Sequence, residues 1–311
     1  MNKIRVVTYI SIFFLLMLLC VSVAYGDKRF LVETTHDYEV TSKYGEIEQM
    51  RQQVLIKLSG MSPGEVTSET ERWVKAVWQI IDDFNELQNL TSSNEPQSHL
   101  DALSKAQSAK EHIEALKSYN VGAAISMLPD IALERFFLEE ASFLEGAATH
   151  ENQTKKRIMY LSNSSNAFHE GGDISNNARL DYEVRELSMI YNEDMKLADR
   201  LTSDAKSYFS ESGHTSGFLS EIDAFLKLKN AEKLAVQSVE IYEKHNDDKL
   251  NEALRLVDDI KERSSKLSLS LGKSVGIYVA LIFALLAYVL HSVMNWRRDL
   301  RESALGGELI P

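Results

Sequence analysis

The chain has 311 residues, with 34 Lys and Arg against 46 Asp and Glu and a formal net charge of −12 at pH 7. Acidity of this size repels phosphate backbones and argues against nucleic acid as a partner. The single cysteine, Cys20, excludes a disulfide within the chain and a multi-cysteine metal site.

Lys3 and Arg5 precede an apolar run from Val6 to Ala24, and Ala24-Tyr25-Gly26 supplies the small residues of a cleavage site. Residues 1–26 read as a secretory signal peptide cut after Gly26, with an uncleaved signal-anchor as the alternative. Either version places the middle of the chain outside the cytoplasm. Leu18-Leu19-Cys20 matches a lipoprotein cleavage box only loosely, because the residue before the cysteine is large.

Proline is scarce, Ala, Leu, Glu, Lys and Ser dominate, and no long stretch alternates apolar with polar. This composition predicts helices throughout. Residues 27–36 read as a short, extended lead-in. A first helix is expected from about Asp37 to Ser59, stopped by Gly60-Met61-Ser62-Pro63-Gly64. Ser62–Glu65 and Ser68–Glu71 both fit a capping box for the second helix. Its stripe of Trp73, Val77, Ile80, Ile81, Phe84 and Leu87 reads as core.

The third helix, opened by Asn94-Glu95-Pro96-Gln97, turns Leu103, Ala106, Ala109, Ile113 and Leu116 inward, where small residues let neighbours approach closely. Asn120-Val121-Gly122 is a short turn that makes the third and fourth helices neighbours. Pro129 kinks or restarts the fourth. Phe136-Phe137-Leu138 covers more than one of its faces, so this helix is expected at the centre. A polar helix over 151–169, a break at His169-Glu170-Gly171-Gly172-Asp173, a long helix over 175–210 and another running to about Lys244 complete residues 27–247. Three glycosylation sequons begin at Asn89, Asn152 and Asn163.

The last helix carries the strongest pattern. Leu250, Val257, Ser264 and Leu271 are seven apart, as are Ala253, Ile260 and Leu267. This is a heptad seam, which either packs on the rest of the domain or binds a second helix. The seam (248–271) runs without a proline into Val275–Val293, 19 residues with no Asp, Glu, Lys or Arg. At about 1.5 Å per residue that stretch spans roughly 30 Å, the thickness of a bilayer's hydrocarbon core. The span, taken as 272–295, has Gly272, Gly276, Ala280 and Ala284 four apart, a small-residue row suited to close helix packing. Trp296, Arg297, Arg298 and Arg301 then mark a cytoplasmic flank, leaving 296–311 as a short inner tail. Setting aside Lys3, Arg5 and the four basic and three acidic residues of 272–311 leaves a net charge of −15 on residues 27–271.

Catalytic signatures are missing: there is no HExxH, GxSxG, P-loop or GxGxxG. Glu33/His36 and Glu211/His214 have the Glu-x-x-His spacing of di-metal ligands, but neither lies on an apolar helix face. His99, His112, His150 and His169, and the pairs Asp82-Asp83, Glu139-Glu140 and Asp258-Asp259, are expected on solvated faces. No catalytic residue, cofactor or metal is assigned.

The expectation is an all-α extracytoplasmic bundle of antiparallel helices with one C-terminal transmembrane helix. It would act as a non-enzymatic scaffold or accessory subunit, anchored in the bilayer and associating with itself or with another membrane protein. Two readings compete with it. A ligand sensor or solute-binding receptor, acting through a separate transducer, requires a pocket near Trp73, Trp78, Phe136 and Phe137. An enzyme requires carboxylates or histidines clustered in space.

Overall fold

Long runs of good helix formers, interrupted by a few Gly, Pro and Asn breaks, leave the backbone little alternative to helix. The structure, a computed structural model, describes residues 28–213 and 217–305, and every regular element among them is helical. In chain order these are α1 (28–37), α2 (Gly45–Gly60), a single 3-10 turn (Pro63–Glu65), α3 (Ser68–Thr91), α4 (Pro96–Lys117), α5 (Ala123–Ser126), α6 (Leu128–His150), α7 (Thr154–Glu170), α8 (Ile174–Glu211), α9 (Phe218–Lys244) and α10 (Leu250–Leu305). The signal peptide expected over 1–26 lies outside the described residues. The chain divides into two compact units at Ser188/Met189, within α8.

In the first unit α6 is the hub, in contact with α2, α4, α5 and α7, as the all-round apolar Phe136-Phe137-Leu138 predicts. Pro129 lies in its first turn, where a missing amide is harmless, so it restarts the helix after α5. The Tyr44 ring meets Phe84 and Phe136 edge-on, with centroids 5.8 and 6.4 Å away. The predicted α3 stripe is buried along its length. Ala102, Ala106 and Ala109 of α4 are fully covered and let its backbone come close to its neighbours.

Two expectations about chain ends are corrected. The lead-in is helical over 28–37 and the chain is irregular where the first helix was expected to begin. The cause is tertiary. Arg51 donates to the carbonyls of Thr35 and His36 at the end of α1, which terminates it there. The following segment is stitched to α3: Asn85 Oδ1 accepts from the amides of Thr41 (2.8 Å) and Ser42 (3.2 Å). The second correction concerns α3. Its N-cap is Thr67, paired with Thr70, while the Ser62–Glu65 box caps the preceding 3-10 turn.

The second unit is built from α9, α10 and the part of α8 that follows Ser188. Buried alanines at 198, 205, 224, 231, 235 and 253 allow tight packing. α9 runs antiparallel to α10: Tyr242 and Ala253 share one cluster at one end, and Phe218 touches Tyr278 at the other, with ring centroids 5.1 Å apart. Hydrogen bonds from Lys244 and His245 hold the Asp194 carboxyl below the usual range, and a hydrogen bond from Lys249 does the same for Asp199 against the opposing effect of burial. A depressed carboxyl contributes stability that is complete above its unfolded value, near 4, and is lost as pH falls through its folded value. The unit is therefore expected to lose helicity in acid below about pH 4, and Asp194→Asn to flatten that loss; circular dichroism between neutral pH and strong acid checks both.

Candidate functional site along the last helix

The upper half of α10 uses its heptad pattern inside its own chain. Ala253, Val257 and Ile260 are buried, with Leu250 and Leu267 beside them, in clusters completed by Ala198 and Ala205 of α8 and Leu228, Ala231, Ala235 and Tyr242 of α9. Ser264 is buried as well, and Leu271 is half-buried. Lower down, the Ser270 and Ser274 hydroxyls donate to the Glu221 carboxylate at 3.1 and 3.3 Å. Of the two readings of the seam, the structure shows packing within the domain.

From Val275 onward the helix changes character. Among the described residues α10 alone contains a segment long and apolar enough to cross a membrane, and none of that segment is buried in the chain. Gly272, Gly276, Ala280 and Ala284 are all exposed, and a Cβ added at Gly272 or Gly276 would meet nothing within 4 Å. At about 100° per residue the row lies roughly 120–240° around the axis from Ile260. A helix docking on the small residues would approach from the side opposite α9. Trp296, below the span, is also exposed.

Four ionisable residues expected in solvent are instead drawn inward, and this corrects the reading of the histidines and acidic pairs. His99 of α4 and Glu140 of α6 form a buried pair, with side chains 6% and 3% exposed and Nδ1 2.6 Å from Oε2. The His99 Nε2 lies 2.7 Å from the Ser93 carbonyl, and the Phe143 ring stacks on the imidazole. A carbonyl can only accept, so Nε2 carries its hydrogen. The other ring nitrogen, Nδ1, shares a hydrogen bond with the Glu140 carboxyl. Asp83 of α3, also buried, receives His112 at 2.6 Å and Lys105 at 3.4 Å. These contacts tie α4 to α6 and α3 to α4. His150, His169 and Asp258-Asp259 are exposed as expected.

The remaining candidates separate. Glu33 and His36 both face solvent, engaged with Arg29 and Asp37. His214 lies outside the described residues, so the Glu211/His214 pair has no described geometry. No group of three metal-capable side chains occurs among the described residues. Trp73 and Phe136 are buried in the core, and Trp78 stacks on Tyr38 and donates to Thr35. The space beside Phe137 is a cleft of about 260 Å³ open to solvent.

A polar cleft of about 300 Å³ lies where Asp199, Lys206, Tyr242, Lys249 and Glu252 meet. Its charges are paired: Lys249 with Asp199 at 2.7 Å and Lys206 with Glu252 at 2.8 Å. Of the sequons, Asn152 is exposed in the α6–α7 loop and Asn89 is exposed near the end of α3. Asn163 is half-buried in α7, and its amide donates to Met159 O. The chain matches no protein-family model, and no curated protein or solved structure shows significant similarity to it.

Proposed function

We propose that this chain is a single-pass membrane protein that displays a helical interaction domain on the extracytoplasmic side and has no catalytic activity of its own. It would serve as a scaffold or as an accessory subunit, joined to a second copy or to another membrane protein through Gly272, Gly276, Ala280 and Ala284. One observation carries the reading: one face of α10 is covered by its own chain down to Leu271, whereas over Val275–Val293 every side chain is exposed and none is charged. Such a surface requires an apolar surrounding. Within lipid, close backbone approach over small residues is what favours one neighbour over the tails. The Trp296-Arg297-Arg298 flank supports a cytoplasmic C-terminus, and the acidity of residues 27–271 fits a soluble domain held off anionic headgroups.

The test is association in membranes. Replacing both Gly276 and Ala280 with leucine is expected to reduce crosslinked or co-purified complex by about tenfold, the effect of roughly 1.4 kcal/mol, while leaving insertion intact. Unchanged association would remove the small-residue row from the proposal and leave the span as a tether. Protease protection in sealed vesicles checks the side on which the domain lies.

A further inference from the structure

The membrane end of the second unit contains an apolar surface that the span does not account for. Phe218 opens α9 and touches Tyr278, the fourth residue of the uncharged stretch and so about 4.5 Å below its start. Leu219, Ile222 and Leu226 follow at helical spacing and are 80%, 36% and 57% exposed. Taking about 100° per residue, they lie on the side of α9 away from Leu228 and Ala224, the residues that face the interior of the unit. Because α9 is antiparallel to α10, these residues climb from the level of Tyr278 to that of Ser270, a distance of about 12 Å. This is the depth at which the hydrocarbon gives way to headgroups.

The polar groups at this level are already engaged. Glu221 accepts the Ser270 and Ser274 hydroxyls, and Lys227 is paired with Asp223 and Glu211. Lys273, exposed just before the uncharged stretch, can extend its ammonium toward water.

We infer that the first turns of α9 dip into the outer leaflet's interface, with Phe218, Leu219 and Ile222 against lipid and Leu226 at its outer edge. The occupant of this surface is the bilayer itself, because the patch is continuous with the span through the Phe218–Tyr278 contact. The protein then stands on two helices, and the contact fixes the rotation of α10 about its axis. The inference rests on the membrane reading above and adds a second, independently measurable contact to it.

Full-length protein with Cys20→Ser and a single new cysteine, labelled with an environment-sensitive nitrobenzoxadiazole dye, is placed in phosphatidylcholine nanodiscs. Leu219→Cys reports the proposed contact, Leu226→Cys its edge, Leu254→Cys the solvent-facing domain and Leu281→Cys the span. Blue-shifted emission and quenching by shallow spin-labelled lipid are expected at 219, weaker at 226 and absent at 254, with quenching by deep spin-labelled lipid at 281. A quenched 281 with a water-like 219 overturns the inference and leaves the anchor standing. Lack of quenching at 281 removes the membrane reading itself. A blue-shifted 219 that lipid spin labels do not quench also overturns the inference, since the cover would then be protein.

Discussion

Replacing Glu140 with leucine is expected to lower the unfolding free energy by about 3–5 kcal/mol, the magnitude seen when one partner of a buried ionic pair is removed. The loss has two sources. The His99 imidazole would be left among apolar groups with Nδ1 unmatched, and the tie between α4 and α6 would go. Glu140→Gln should cost far less, about 1 kcal/mol. Its amide can donate to a neutral Nδ1 while Nε2 still donates to Ser93 O, so every polar atom retains a partner. Urea denaturation followed by circular dichroism measures both variants. If Glu140→Gln fell as far as Glu140→Leu, the amide would have failed to replace the carboxyl's hydrogen bond to Nδ1. If neither variant moved, burial of the pair would be refuted.

The second large effect concerns the seam. Ile260→Ala is expected to destabilise the α9/α10 unit by about 2–5 kcal/mol, because Ile260 is fully buried in a cluster with Leu228, Ala231 and Val257 and its truncation leaves a cavity there. Association in the membrane should be unchanged while the unit remains folded. If Ile260→Ala abolished oligomers without lowering the melting temperature, the seam would be an intermolecular surface. The pair Gly276→Leu and Ala280→Leu should behave in the opposite way, with association reduced and melting unaffected.

The buried ionic pairs show how much of the interior was legible. His99 is in register with Ala102, Ala106, Ala109, Ile113 and Leu116, on the face of α4 that the periodicity turns inward. Glu140 stands in the row of Phe136 and Leu144, and Asp83 in that of Ile80 and Leu87. A charged residue inside an apolar stripe must be buried, so spacing alone could have flagged all three. Reading adjacent carboxylates as solvated holds for Asp258-Asp259 but overlooked that Asp83 and Glu140 fall on the inner face. The partners were beyond sequence reasoning, because whether His99 meets Glu140 depends on which helices are neighbours and in what register. The same holds for Arg51, whose capping of α1 acts across 15 and 16 residues and displaced the expected first helix.

Local interactions determined the all-α class, the breaks at Gly60 and Gly171, the inward stripes of α3 and α4 and the uncharged stretch of α10, because hydrogen bonds within a helix and the 3.6-residue period are written in short windows of residues. The heptad pattern established that one face of α10 ahead of the uncharged stretch would be buried. It could not establish by what, since an apolar stripe is satisfied equally by its own chain or by a second one. Tertiary structure decided that by folding α9 back along the seam. It thereby left the small-residue row, on the opposite side of the same helix, exposed.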